Sequence, residues 1–271
     1  PVGLLLAVFA MTAVAAPAAP AAAAAAAVPK PRRISYYYDA FDQAIVRPIT
    51  RSTDPALLAR KWSGHRREAA NVDDQDQVRL PSTWWQPRLG YKTVTAEQML
   101  HGPGPDMGPA PGKLQIVRMK TQGVTPGFQV KDSKGAKFNI KFDPPAFPEL
   151  ATGADVATSY LYWAAGYNVP ENSIVILHRD DLEIAVNATA SDASGRTAPI
   201  TSAMVDRILA RTHPLKDGSY RAIASRWLPG KSLGEWKYDG RRHDDPDDLI
   251  PHQLRREVRG LWAIFAWTNN T

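Results

Sequence analysis

Alternation of apolar and polar residues in the middle of the chain constrains the fold more than any other sequence feature. It occurs in three short runs, at Leu114–Lys120, Phe128–Lys131 and Phe138–Phe142. A period of two is typical of half-buried β-strands. Between the second and third runs, Asp132–Gly135 is a turn sequence with glycine where a positive φ is favourable. The sequence therefore predicts a three-stranded antiparallel meander.

A helix is predicted directly after the meander. Thr152 is a good N-cap residue, Gly166 is a good C-terminal residue, and apolar side chains recur between them at helical spacing. Further strands are predicted at 173–178, 182–187 and 220–228, and a further helix at 201–211. This mixture of elements predicts the α+β fold class.

A last helix is predicted to begin near Pro251, a residue suited to the first helical turn. Its apolar stripe consists of Leu254, Val258, Leu261, Trp262 and Phe265. So large an apolar face requires a layer to pack against, and the sequence up to Thr271 supplies none. We therefore expect the chain to be truncated after this helix.

Composition excludes several classes of site. The chain has 33 Lys and Arg against 27 Asp and Glu, a formal net charge of +6, and no cysteine. Disulfide scaffolds, thiolate zinc sites and cysteine nucleophiles are therefore excluded. Arg255, Arg256 and Arg259 are interrupted by Glu257 rather than forming a basic stripe, so we expect no nucleic-acid partner. The acidic run 243–248 lacks the ligand pattern of a calcium loop and is predicted to be a solvated turn.

The N-terminal segment predicts export. Residues 1–15 hold an apolar core followed by Ala13-Val14-Ala15, the small-x-small pattern of a signal-peptidase site. Residues 16–33 are rich in Pro and Ala and read as a tether. The alternative is an uncleaved membrane anchor, because the uncharged run continues to Pro29. We expect a periplasmic or secreted protein that meets the membrane only through this segment.

Residues 34–112 are predicted to be an irregular N-terminal extension and linker. The segment contains Tyr36–Tyr38, a helical stretch at 55–67 and the adjacent pair Trp84-Trp85, and it ends in a Gly/Pro-rich run. Adjacent tryptophans either stack on sugar rings or pack an extension onto a neighbouring domain, and the second is more common. The first interpretation predicts a non-catalytic cell-envelope module that binds a glycan or a protein through its aromatic N-terminal part.

The order strand, glycine loop, strand, strand ending in lysine, helix and strand resembles the small lobe of a protein kinase. Gly123 and Gly127 match the glycine loop, and Lys141 matches the lysine of the third strand. The block from Asp155 to Pro170 ends in Gly-x-x-Val-Pro, and it resembles the helix and exit turn of HipA-type and phosphoinositide-kinase-like atypical kinases. This resemblance covers roughly residues 113–271.

The resemblance implies a nucleotide-binding role, with residues 113–230 as the small lobe and hinge and residues 231–271 as the start of a truncated large lobe. Lys141 would contact phosphates and Asp155 would orient it, with Glu149 as the reserve acidic residue. Trp227 and Leu228 would lead into the hinge that holds the adenine of the nucleotide. The implied cofactors are ATP and Mg²⁺. The catalytic loop would lie beyond Thr271, so this chain is expected to be an inactive fragment of a kinase or a pseudokinase.

Overall fold

The computed structural model describes residues 29–31, 38, 41–64, 68–104, 108–119, 125–191, 196–230, 233–234 and 236–268. The predicted signal peptide, most of the tether, Tyr36, Tyr37 and Gly123 lie outside these ranges. The chain is a mixed α+β protein, which confirms the predicted fold class, and it is built on a seven-stranded mixed sheet. None of the helices in these ranges is both long and apolar enough to cross a membrane.

The N-terminal extension contains short helices. A π-helical turn at Asp42–Val46 continues into α1 at Arg47–Thr53, and α2 follows at Pro55–Ser63. Helix α3 covers Ala96–His101, and its capping box is formed by Thr95 and Gln98. Residues 68–95 between α2 and α3 are irregular apart from turns and isolated bridges.

The sheet has the strand order β4-β7-β3-β2-β1-β5-β6. Its strands are β1 Leu114–Met119, β2 Gly127–Lys131, β3 Lys137–Phe142, β4 Asn172–Leu177, β5 Leu182–Ser191, β6 Thr197–Pro199 and β7 Tyr220–Arg226. The predicted meander β1-β2-β3 is confirmed, with antiparallel pairing throughout. All other neighbours are also antiparallel except β1 and β5, which run parallel.

One face of the sheet carries the hydrophobic core. Phe138, Ile140 and Phe142 alternate along β3 and are fully buried, next to Phe128 and Val130 of β2. Helix α5, Ser202–Leu209, covers this face and buries Val205 and Leu209, its fourth and eighth residues. Burial of these side chains is the main source of the stability of the sheet.

Helix α4, Leu150–Ala164, lies on the opposite face against β3, β4 and β7. The predicted N-cap, Thr152, is wrong: Glu149 holds the N-cap position with φ 67° and no side-chain cap. Thr152 lies within the first turn, and its backbone N–H and hydroxyl both donate to the carboxylate of Asp143. A residue from the preceding loop therefore satisfies the open donors at the start of this helix.

The last helix, α6, covers Arg256–Thr268 and is preceded by a 3₁₀ turn at His252–Leu254. The predicted start near Pro251 is therefore about one turn too early. The predicted apolar stripe is also only partly correct, because the fully buried side chains are Glu257, Val258 and Ile264. Trp262 is 54% exposed, although its ring packs edge-on against Tyr238 and Phe265.

Candidate functional site

Lys141 and Asp155 form an ion pair on the helix-bearing face of the sheet. The Nζ of Lys141 lies 2.7 Å from Oδ2 of Asp155, and the two side chains are 30% and 38% exposed. Lys141 points away from the core because its neighbours on β3, Ile140 and Phe142, point into it. The pair joins β3 to the second turn of α4 while keeping both charges in reach of solvent.

A buried polar cluster fixes where α4 begins. Asp143 is 4% exposed, and it accepts hydrogen bonds from the backbone N–H of Thr152 at 2.9 Å and from its hydroxyl at 2.7 Å. Arg221 of β7 also donates to the Thr152 hydroxyl, and its Nη1 lies 3.6 Å from Oδ2 of Asp143. Asp155 follows Thr152 by about one turn, so this cluster sets the position of Asp155 opposite Lys141.

Glu149 does not compete for Lys141. It sits at the exposed N-cap of α4 in the left-handed region, and within the described ranges it forms no hydrogen bond or ion pair with the lysine. The acidic partner of Lys141 in the structure is therefore Asp155, which has the shorter side chain.

Gly127 begins β2 directly opposite Lys141 on β3. A Cβ at this position would overlap the carbonyl oxygen of Ile140, so the close approach of the two strands requires glycine. Gly123, its predicted companion in the glycine loop, lies outside the described residues. Gly127 thus has a structural reason for being glycine, whether or not a ligand lies nearby.

A polar row crosses the same face beside the ion pair. The strand registers align Arg118, Gln129, Asn139, Ser225 and Asn172 on β1, β2, β3, β7 and β4. The amide nitrogen of Asn172 lies 3.5 Å from the carbonyl of Asp155, while its buried Oδ1 has no partner in the part of the chain that the structure describes. Alternation along the strands predicts a polar face, but only the register shows that these side chains share one row.

Trp227 and Leu228 follow the last residue of β7 and are 40% and 63% exposed. The N–H of Trp227 donates to the carbonyl of Lys137 at 2.9 Å, and the Lys137 ammonium lies 5.4 Å from its ring centroid. Lys137 and Lys141 lie four positions apart on β3, which is a distance of about 13 Å along the strand. The two predicted ends of the nucleotide site therefore lie at opposite ends of one strand.

Trp84 and Trp85 pack the extension against the rest of the chain. The Arg255 guanidinium lies 4.4 Å from the Trp84 ring centroid, and the His252 ring lies 5.0 Å from it on another side. The indole N–H of Trp85 donates to the carbonyl of Ala165 at 2.7 Å. Both rings are engaged in intramolecular contacts, which is the more common role of such a pair.

The acidic run 243–248 is not wholly solvated. Asp248 is 4% exposed, and its Oδ2 lies 2.7 Å from Nε2 of His252 and 2.6 Å from the N–H of Arg242. Asn71 of the extension donates to the buried carboxylate of Glu257 and accepts from the N–H of Arg256. These buried polar contacts, which sequence spacing alone did not predict, hold the extension to the start of α6.

Comparison of the chain with protein-family models, with curated proteins and with solved structures finds no match. The function of this chain is therefore inferred from its own geometry.

Proposed function

We propose that residues 113–230 form a kinase-like small lobe that binds the phosphates of a nucleotide through Lys141. The observation that carries the proposal is the ion pair of Lys141 with Asp155, with 2.7 Å between Nζ and Oδ2. A strand lysine held by a carboxylate of the next helix is the arrangement that kinases use to position phosphates. Its partial exposure supports the proposal, because a ligand phosphate would reach the ammonium without unfolding the site.

The order of elements around the pair also supports the proposal. Strands β1, β2 and β3 are followed by α4 and then β4, the sequence of elements on which the resemblance rests. Strand β7 lies between β3 and β4 and leads to Trp227, so the segment that would hold the base starts beside the strand of Lys141. Lys137 and Lys141 are about 13 Å apart along β3, so the base and the phosphates of the nucleotide would lie towards opposite ends of this strand.

The polar row would add neutral donors and acceptors next to the lysine. Gln129 and Asn139 occupy positions on β2 and β3 that face the same side as Lys141. Among the described residues no group of three or more His, Asp or Glu could hold a metal ion. In this proposal Mg²⁺ therefore arrives on the nucleotide phosphates, and the protein supplies the ammonium group.

Thermal unfolding of the chain with Mg²⁺–ATP, Mg²⁺–ADP or no nucleotide tests the proposal. Ligand binding to the folded state raises the unfolding temperature, and at a hundred times Kd the added stability is about 2.7 kcal/mol. We expect a shift in the native chain that is lost in Lys141→Ala. Lys134→Ala, which alters an exposed lysine of the β2–β3 turn, is the matched control and should keep the shift. A shift that survives Lys141→Ala would contradict the proposal.

The alternative function, a non-catalytic envelope module that binds glycan or protein, requires exposed aromatic rings. Trp62 of α2 is 88% exposed and is the N-terminal tryptophan that fits this requirement, since Trp84 and Trp85 are engaged internally. Glycan-array binding that is lost in Trp62→Ala, without a nucleotide-dependent thermal shift, would favour the module. A nucleotide shift that depends on Lys141 would favour the kinase-like lobe.

A further inference from the structure

A basic cavity lies where the N-terminal extension meets the end of α4. Its volume is about 340 Å³, and its walls include the cationic or titratable side chains of Arg88, Lys92 and His101, the hydroxyl of Thr93 and the ring of Trp163. This volume is within the range of small-ligand sites, about 300–1,000 Å³. Asp155 lies about two turns of α4 away from Trp163, so the cavity is separate from the proposed nucleotide site.

Arg88 is only partly used by the protein. Its Nη1 donates to the carbonyls of Trp163 and Tyr167 at 2.7 and 3.2 Å, and its Nη2 donates to Oε1 of Gln86 at 3.1 Å. The guanidinium also lies 5.2 Å from the ring centroid of Trp163. Within the described ranges its Nε–H and one N–H of Nη2 have no acceptor. Nε and Nη2 share one edge of the guanidinium, and this is the edge that binds a carboxylate or a phosphate through two N–H groups.

Among the described residues no acidic group balances the charge at this cavity. The acceptors of the Arg88 guanidinium in the described ranges are neutral oxygens, and burial lowers its pKa. None of the described residues that line the cavity is a carboxylate, and neither Lys92 nor His101 forms an ion pair with another described residue. A partly desolvated cation without a counter-charge is costly, and an anion beside it recovers part of that cost.

We propose that this cavity is a binding site for a small ligand that carries a carboxylate or a phosphate group. The free Nε–H and Nη2–H of Arg88 bind the oxyanion as a fork, and the Lys92 ammonium supplies the second positive charge. The Thr93 hydroxyl donates the remaining hydrogen bond. The site does not depend on the proposed nucleotide function, because none of its residues belongs to the Lys141 cluster.

NMR titration of the full chain tests the site with two probes, inorganic phosphate and acetate, each at constant ionic strength against chloride. We expect saturable shifts of the Arg88 Nε–H resonance with at least one probe, and the responding probe identifies the ligand group. Lys92→Ala should weaken binding by about five- to tenfold, as for one charge-assisted contact. Lys216→Ala, which removes an exposed lysine elsewhere, should leave binding unchanged.

Arg88→Lys provides a second variant that retains the positive charge but loses the fork. It should weaken binding at least as strongly as Lys92→Ala, because an ammonium cannot form two parallel N–H bonds to one oxyanion. Absence of saturable shifts with both probes overturns the proposal. Equal affinity in the native chain and in Lys92→Ala also overturns it.

Discussion

The carboxylate of Asp143 accepts two hydrogen bonds from Thr152, one from the backbone N–H at 2.9 Å and one from the hydroxyl at 2.7 Å. Asp143 follows directly after β3, and Thr152 lies in the first turn of α4. The contact therefore joins the strand that carries Lys141 to the helix that carries Asp155. Because it is buried, it determines the spacing of an ion pair that is itself half-exposed.

Replacing Asp143 by alanine should destabilise the fold strongly. The change leaves the N–H and hydroxyl of Thr152 and the Arg221 guanidinium without their buried acceptor. We expect the free energy of unfolding to fall by about 2–4 kcal/mol, measured by urea denaturation. Asp74→Ala, at an exposed turn, is the control and should change it by less than about 0.5 kcal/mol. Equal effects of the two variants would show that the buried cluster does not hold α4.

Asp155→Ala should separate stability from nucleotide binding. A partly exposed ion pair contributes about 1 kcal/mol or less, because both charges remain hydrated and salt screens their attraction. We expect a small change in urea denaturation but loss of the thermal shift with Mg²⁺–ATP, since Lys141 is no longer held in place. Glu149→Ala is the matched control and should preserve the shift. Loss of the shift in Glu149→Ala alone would make that residue the functional acid.

Gly127 and Gly153 should respond to alanine in opposite directions. A Cβ at Gly127 overlaps the carbonyl oxygen of Ile140, so Gly127→Ala should destabilise the fold by about 1–3 kcal/mol. Gly153 lies inside α4 with no other group near the position of a Cβ, so Gly153→Ala should stabilise by about 0.5–1 kcal/mol. Urea denaturation of both variants measures the difference. Similar effects of the two substitutions would contradict the close approach of β2 and β3.

Local patterns were sufficient to predict the meander and the helix that follows it. Strands β1, β2 and β3 show their alternation within a few residues, and the turn after Asp132 links two of them. The parallel pairing of β1 with β5 was not predictable, because Leu114 and its partner Leu182 are 68 residues apart and no local pattern shows which distant strand pairs with β1. Strand β6, Thr197–Pro199, is too short to show a pattern.

Only those parts of the candidate site that belong to a recognisable sequence motif could be predicted. The Lys141 and Asp155 pair came from a resemblance, and the structure brings the two side chains together. The part played by Asp143 was not foreseen, because an Asp before two prolines reads as a turn residue until its distant partner Arg221 is known. On α6 the buried face was predicted only in part, because Glu257 is also buried, in a polar cluster where Asn71 donates to its carboxylate.

Tyr167 should make stability depend on pH in the alkaline range. Its hydroxyl donates to the carbonyl of Glu257 at 2.6 Å, and burial, with the nearby Glu257 charge, raises its pKa to about 12. The unfolded chain loses this proton near pH 10, so stability is retained below pH 10 and falls between about pH 10 and 12. The difference between the native chain and Tyr167→Phe isolates this contribution from those of the other groups.

Tyr167→Phe should therefore lose about 1 kcal/mol of unfolding free energy at pH 7, where only the hydrogen bond is removed. As the pH rises from 9 to 11, the difference in unfolding free energy between the two proteins should shrink. The reason is that deprotonation of Tyr167, which Tyr167→Phe cannot undergo, then stabilises the unfolded state of the native chain. Urea denaturation at several pH values measures both curves. Tyr38→Phe, at a side chain that is 64% exposed, is the control and should run parallel to the native chain. A constant difference between native and Tyr167→Phe across this range would show that the hydroxyl titrates normally.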